Sequence, residues 1–203
     1  MAHGTKVIYY ARKLGVYIIM LVLLALAVFQ TPRIDSFIVG AVLAAVGLAL
    51  RVWACGHLYK NEKLACTGPY AHLKHPLYLG TFFIVFGLLS PMFFHFEMTA
   101  DNFFKFPTFY LAIFCILVLI IVYLPRKARD EHERLVKRFG EPYVKWDENV
   151  PNYFPRLRGY DMGDKARFSF SQMFVNSEHL TVAAVTVGFI VIAFRWWQAL
   201  FKG

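Results

Sequence analysis

The sequence has little charge and few cysteines, and each shortage excludes a class of protein. Only 17% of the 203 residues are charged, against about 25% in soluble domains, and 58% are hydrophobic. These proportions exclude an ordinary soluble globule and a disordered chain. There are three cysteines, an odd number with no Cys-x-x-Cys pair, which excludes a disulfide framework and a cysteine zinc site.

The sequence also lacks the motifs of soluble nucleotide-binding proteins. There is no Gly-x-Gly-x-x-Gly motif after a strand and no P-loop, so a nucleotide-like cofactor would need a membrane-associated site. The formal net charge is +9, from 22 basic and 13 acidic residues. Nucleic acid is not an expected partner, because binding it does not require so much apolar sequence. A membrane protein with basic faces explains both the charge and the composition.

Five apolar runs indicate membrane helices, at residues 14–29, 34–53, 76–95, 106–124 and 180–200. A helix crosses the hydrocarbon core with about 17–25 apolar residues. We therefore expect an all-α integral membrane protein with about five transmembrane helices, forming a single domain over residues 1–203. The first run is short and resembles a signal peptide, but we interpret it as a retained helix. Gly87, Ser90 and Pro91 interrupt the third run, which predicts a tilted or broken span.

The distribution of lysine and arginine predicts the orientation. The N-terminal segment holds three of these residues, residues 51–74 hold four and residues 126–179 hold eleven, together 18 of the 22. Basic residues concentrate on the cytoplasmic side of membrane proteins. With five crossings, this rule places the N-terminus and the segments 51–75 and 126–179 in the cytoplasm.

The first segment that could carry chemistry is GPYAHLKHPLYLG, residues 68–80. Gly-Pro predicts a turn, residues 70–74 are predicted to be extended, and Pro76 is predicted to start a helix. His75 would then lie at the mouth of a span, with Tyr78 one turn further in. The alternative interpretation is an interfacial cluster of Tyr, His and Lys without a function. His72 and His75 alone are weak evidence for a metal, and we expect none.

The second segment begins where the fourth run ends. Residues 126–140 predict a charged helix that continues out of the bilayer and stops at Gly140. A solvated helix accounts for most of its charges. Residues 141–155 are polar but contain three prolines and four aromatic residues, which predicts that they fold over another part of the chain.

Together the two segments resemble the isoprenylcysteine carboxyl methyltransferases and the related phospholipid methyltransferases. The first resembles their Gly-Pro-Tyr…Arg-His-Pro-x-Tyr-x-Gly motif, and EHERLVKRFGEPYVKWDENVP resembles their Glu-Glu…Leu…Phe-Gly-x-x-Tyr-x-x-Tyr…Val-Pro motif. The similarity covers about half the chain. It implies S-adenosylmethionine as cofactor, Arg126 and Glu131 as catalytic residues, and cofactor contacts from Tyr70, His75, Tyr78, Glu131, Phe139, Gly140 and Tyr143.

The resemblance implies methyl transfer to a lipophilic small-molecule or lipid-modified substrate. Membrane lipids are expected to surround the protein. An isoprenylcysteine-like carboxylate held by Arg126 is the expected acceptor. The alternatives are a phospholipid amine methyltransferase, an NADPH-dependent reductase of the sterol type and a non-catalytic membrane scaffold. The sequence departs from the family pattern in three ways: Lys74 replaces arginine, His132 replaces the second glutamate, and a further apolar run follows at residues 180–200.

Overall fold

The computed structural model describes residues 34–60, 62–94, 107–152 and 154–201, together with Ile18, Val22 and Ala25, which are helical. Within these ranges the protein contains no strand. A 3₁₀ turn covers Gly68–Ala71, and a π-helical turn, Leu119–Tyr123, joins α3 to α4. The α-helices, numbered in chain order, are α1 (Ile34–Gly56), α2 (Pro76–Phe94), α3 (Pro107–Val118), α4 (Leu124–Phe139), α5 (Glu141–Asn149), α6 (Phe170–Val175) and α7 (Glu178–Phe201).

Among the described residues, three helical stretches are long and apolar enough to cross a membrane: Ile34–Gly56, Tyr110–Phe139 and Glu178–Gln198. They correspond to the predicted runs 34–53, 106–124 and 180–200. The expected all-α fold is therefore confirmed for the described residues, with three helices that could span a membrane. The apolar part of α2, Pro76–Ser90, is shorter, and α2 continues to Phe94 without a break. The predicted run 14–29 lies outside the described residues, apart from the three helical positions.

Small residues allow α1 and α2 to pack closely as an antiparallel pair. Gly47 faces Gly80, and a Cβ atom built on Gly47 would lie 2.5 Å from the Gly80 carbonyl oxygen. Farther along the pair, Gly40 faces the backbone of Gly87 in the same way and leaves no room for a side chain. Close backbone approach through small residues is common between helices that pack in lipid. This contact fixes the position of α2 along α1.

An ion pair joins the ends of three helices. Arg51 in α1 makes two hydrogen bonds of 2.7 Å to the carboxylate of Glu178, the first residue of α7. Its remaining terminal nitrogen donates to the Thr81 hydroxyl of α2, also at 2.7 Å. Glu178 is only 2% exposed, and its position at the N-terminus of α7 also favours its negative charge. The charges of Arg51 and Glu178 therefore compensate each other in a buried setting.

The chain after residue 155 returns to the C-terminal end of α1. The Asn176 side-chain amide donates to the carbonyl groups of Cys55 and Leu58, at 3.0 and 2.8 Å. The Ser169 backbone N–H donates to the carbonyl of Gly56 at 3.0 Å. These bonds satisfy carbonyl groups at a helix end, where the helix itself supplies no donors. The segment between α5 and α7 is therefore tied to the membrane helices at this end.

Replacing Glu178 by glutamine should destabilise the protein strongly. Glu178→Gln keeps the side-chain shape but leaves the charge of Arg51 without its partner, at a cost of about 3 kcal/mol in the free energy of unfolding. Chemical unfolding in detergent measures this cost. The control is Glu141→Gln, which breaks an exposed ion pair to Lys145 and should leave the midpoint unchanged. Equal effects of the two variants would contradict an anchoring role for Glu178.

Candidate functional site

The first motif forms a tight turn followed by a helix. Gly68 has a φ of +58°, a left-handed conformation that residues with a Cβ atom rarely adopt. The turn Gly68–Ala71 is 3₁₀, and the Leu73 amide donates back to the Pro69 carbonyl at 3.0 Å. The extended geometry predicted for residues 70–74 is therefore wrong at its start. Pro76 begins α2 as predicted, where its missing N–H is not needed.

The second motif consists of the end of α4 and the short helix α5. α4 ends at Phe139, and Gly140 follows with a φ of +59° and donates its N–H to the Val136 carbonyl at 2.9 Å. The predicted stop at Gly140 is confirmed. The chain then turns back into α5, which buries Tyr143 and Trp146.

The second motif folds over the first. Trp146 is 4% exposed, and its indole N–H donates to the Tyr70 carbonyl at 3.0 Å. The Lys74 amide donates to the Pro151 carbonyl at 2.9 Å. Tyr70, Tyr143 and Trp146 belong to one buried cluster. The expected folding of residues 141–155 over another part of the chain is therefore observed, and the part they cover is the 3₁₀ turn.

Tyr78 and Glu131 connect α2 to α4. The Tyr78 hydroxyl donates to Oε2 of Glu131 at 3.1 Å. The His75 ring stacks on the Tyr78 ring, with centroids 5.0 Å apart and planes 18° apart. Nζ of Lys127 lies 5.6 Å from the centroid of the same tyrosine ring. The structure thus brings together His75, Tyr78 and Glu131, three of the residues that the sequence predicted for the cofactor site.

Lys127 is a member of this group that the sequence reasoning missed. It precedes Glu131 by four residues, so the two side chains lie on the same face of α4. Arg126 is exposed and precedes Glu131 by five residues, which places the two about 140° apart around a helix of 3.6 residues per turn. The structure therefore does not bring the two predicted catalytic residues to one face. Helical spacing was the available signal for Lys127.

The other predicted residues have positions in the core or at a helix end. Tyr70 and Tyr143 are 6% and 3% exposed, and Phe139 packs against the same cluster. Gly140 lies in the sharp turn between α4 and α5. Tyr70, Phe139 and Tyr143 hold the two motifs together in this cluster, and the partly exposed face of the site is formed by His75, Tyr78 and Glu131.

Burial determines the protonation of His75. Desolvation lowers the pKa of its imidazole from the ordinary value of 6.5; the nearby charge of Glu131 opposes this shift and that of Lys74 reinforces it. The ring is therefore neutral at pH 7. A neutral ring stacked on Tyr78 presents an aromatic surface without adding a positive charge to the site.

Asp147 contacts a second group of polar side chains, next to the group formed by His75, Tyr78 and Glu131. Nζ of Lys74 lies 2.8 Å from Oδ1 of Asp147, and the Tyr143 hydroxyl donates to the same oxygen at 3.2 Å. Nδ1 of His132 lies 3.1 Å from the Tyr143 oxygen and 3.4 Å from Oδ2 of Asp147. Burial and the charge of Asp147 raise the pKa of Tyr143, which keeps its hydroxyl protonated. Lys74 and Asp147 thus link the two motifs electrostatically.

The side chains of the site suit a positively charged ligand that carries hydroxyl and amino groups. The side chain of Glu131 is 32% exposed, and its carboxylate has lone pairs beyond the one that Tyr78 uses. The rings of His75 and Tyr78 offer aromatic faces, which attract cations; Lys127 already lies near the Tyr78 ring. Among the described residues, no group of three or more His, Cys, Asp or Glu is arranged to hold a metal ion.

The burial of His75 predicts how stability depends on pH. Below about pH 6.5, His75 binds a proton in the unfolded chain but not in the folded chain. The free energy of unfolding therefore falls as the pH drops from about 6.5 toward the folded-state pKa of His75. Above about pH 6.5, His75 makes the free energy of unfolding no more dependent on pH. Burial also lowers the pKa of His57, which acts in the same direction.

His75→Gln should therefore reduce the loss of Tm between about pH 7.5 and about pH 5.5, because it removes a group whose pKa burial lowers. Thermal unfolding in detergent measures this difference, and His57→Gln provides a comparison for the second group. If the His75 variant lost as much Tm between the two pH values as the unaltered protein, the folded chain would not exclude a proton at His75.

No family model matches the chain, and no solved structure matches it. The chain is similar to the nickel-cobalt-cadmium resistance protein NccN of Alcaligenes xylosoxydans xylosoxydans, with 27% identity over 156 residues. The match covers 72% of this chain and 66% of that protein, so the chain spans just under two thirds of the relative's length. The similarity indicates a distant relationship and does not assign the chain to a family.

Proposed function

We propose that the protein is an integral membrane methyltransferase that uses S-adenosylmethionine to methylate a lipophilic acceptor. The observation that supports this function best is the contact between the two motifs, in which the Tyr78 hydroxyl binds Glu131 at 3.1 Å. The motifs are more than 50 residues apart in sequence, yet their polar side chains face one another. This convergence is what a shared ligand site requires.

The side chains of the site have separate tasks in this proposal. S-adenosylmethionine, when bound, supplies an activated methyl group on a positively charged sulfur. Glu131 accepts hydrogen bonds from the ammonium group or the ribose hydroxyls of this ligand. The stacked rings of His75 and Tyr78 lie against the positive sulfur, where aromatic faces are favourable. Because His75 is neutral at pH 7, it does not repel that charge.

The proposed topology has five crossings with the N-terminus in the cytoplasm. The three long apolar stretches, the helix α2 and the apolar run 14–29 supply the five helices. The concentration of basic residues in segments 51–75 and 126–179 supports a cytoplasmic site. In this arrangement the site lies at the membrane surface, where a soluble methyl donor and a lipophilic acceptor meet.

A carboxylate acceptor, as in the isoprenylcysteine methyltransferases, needs a cation beside the methyl donor. Such an acceptor is ionised at neutral pH and needs no general base. Arg126 was the expected cation, but Lys127 shares a face with Glu131 and lies 5.6 Å from the Tyr78 ring. We therefore propose Lys127 as the positive group that faces an acceptor carboxylate. A phospholipid amine acceptor, an NADPH-dependent reductase and a non-catalytic scaffold remain the alternatives that experiment must separate.

Cofactor binding tests the proposed function directly. Titration calorimetry in detergent should show binding of S-adenosylmethionine, and Glu131→Gln should weaken it at least about tenfold, because a hydrogen bond to a charged group contributes roughly 1.5–3 kcal/mol. The matched control is Glu133→Gln, two residues further along the same helix and exposed. NADPH is titrated in parallel. Binding of NADPH alone would favour the reductase. If the folded protein bound neither ligand, both the methyltransferase and the reductase function would be contradicted.

The two neighbouring cations can be compared in the methyl-transfer reaction. Lys127→Gln should raise the KM for a prenylcysteine carboxylate about tenfold or more, since it removes a charge-assisted contact. Arg126→Gln should have little effect, because Arg126 lies on another face of α4. Steady-state kinetics with labelled cofactor measure both values. If Arg126→Gln raised the KM strongly and Lys127→Gln did not, the acceptor carboxylate would be held by Arg126, as the sequence suggested, and not by Lys127.

A further inference from the structure

His132 takes part in a chain of hydrogen bonds whose direction can be worked out. Its Nδ1 atom lies 3.1 Å from the Tyr143 oxygen and 3.4 Å from Oδ2 of Asp147. The Tyr143 hydroxyl donates to Oδ1 of Asp147 at 3.2 Å, and Lys74 contacts the same carboxylate at 2.8 Å. His132 also packs edge-on against the Tyr143 ring, with centroids 5.4 Å apart. The ring of His132 is therefore held by defined contacts.

The chemistry of these groups fixes the tautomer of His132. An ionised carboxylate only accepts hydrogen bonds, so the Tyr143 hydroxyl donates to Asp147 and keeps its proton. The raised pKa of Tyr143 keeps that proton in place. Both oxygens near Nδ1 of His132 then act as acceptors, which favours the tautomer with the proton on Nδ1. The other ring nitrogen, Nε2, therefore has a free lone pair in the neutral imidazole.

The location of His132 connects this lone pair to the proposed methyl-transfer site. Successive residues of a helix point about 100° apart, so His132 is connected to the site through Asp147, which also contacts Lys74, the neighbour of His75. The side chain of His132 is 48% exposed, so a bound molecule can reach its ring. Glu131 is close enough to Tyr143 to contribute to the raised pKa of its hydroxyl. The titratable and charged groups that face His132 are Tyr143 and Asp147 from α5 and, behind Asp147, Lys74. The Asp147 charge would stabilise the imidazolium that forms when Nε2 accepts a proton.

We propose that His132 is the proton acceptor for a methyl acceptor that is protonated at neutral pH: a lipophilic amine, thiol or hydroxyl compound. Asp147 is its positioning residue. This inference rests on the proposed methyltransferase function. The acceptor heteroatom forms its bond to the methyl carbon, and the methyl–sulfur bond breaks with its electron pair remaining on sulfur. The proton of the acceptor passes to Nε2 of His132 and from there to water.

The inference distinguishes two classes of acceptor by their need for a base. A carboxylate is already ionised, so a base at His132 has no task in its methylation. A thiol, a hydroxyl compound or an ammonium group must lose a proton before or during methyl transfer. Removal of the base should therefore slow the methylation of these acceptors and leave the methylation of a carboxylate unchanged.

The first test measures the tautomer without any reaction. In protein labelled with ¹⁵N-histidine, the imidazole nitrogen signals of His132, assigned with His132→Gln, should show a proton on Nδ1 and none on Nε2. Asp147→Asn should change this pattern, because its amide can donate as well as accept. A proton on Nε2 in the unaltered protein would overturn the proposal, since the base would then have no free lone pair.

The second test compares acceptors of matched chain length: decylamine, decanethiol and decanoate. With the protic acceptors, His132→Gln should lower kcat/KM about a hundredfold, and Asp147→Asn should lower it less. Glu133→Gln is the control, and Tm values show that each variant is folded. Equal losses on decanoate, turnover of decanoate alone, or no loss on any acceptor would overturn the role of His132. Calorimetric binding of S-adenosylmethionine, measured in the same samples, tests the proposed function independently.

Discussion

The bidentate pair between Arg51 and Glu178 is the constraint on which the arrangement of the helix ends depends. The Glu178 side chain is 2% exposed and that of Arg51 is 18% exposed, and the same arginine also bonds Thr81 in the first turns of α2. A buried ion pair contributes little net stability, because desolvation offsets the attraction, but an unpaired charge is very unfavourable. The pair therefore selects one register among α1, α2 and α7. Since Tyr78 lies one turn before Thr81, this register also positions the site.

The two motifs depend on each other in the same way. The 3₁₀ turn leaves the Tyr70 carbonyl without a partner inside the turn, and Trp146 satisfies it from α5. Asp147, on the same helix, neutralises Lys74 from the first motif. A buried carbonyl without a partner and a half-buried lysine without a counter-charge would both be unfavourable. Each motif thus supplies what the other lacks, which explains why both are needed to form one site.

Local chemistry made part of this structure predictable. Pro76 starts a helix and Gly140 ends one because of their own backbone properties, and long apolar runs become helices that can cross a membrane. The 3₁₀ turn was not foreseen, because Pro76 restricts only the residue before it and leaves residues 70–71 free to follow the Gly-Pro turn. Contacts between distant segments have no local signal: Arg51 and Glu178 are 127 residues apart. Within α4, in contrast, helical spacing already separated Lys127 from Arg126.

The ion pairs also reduce the effect of the net positive charge around the first motif. The net charge of +9 would repel a sulfonium if it acted at the site. Around the first motif, however, Arg51 is paired with Glu178 and Lys74 with Asp147, and burial keeps His75 neutral at pH 7. Paired charges produce weak fields beyond about one Debye length, roughly 8 Å at physiological salt. The charges at the site itself are then those of Glu131 and of its basic neighbours Arg134, at 3.9 Å, and Lys127, beside Tyr78.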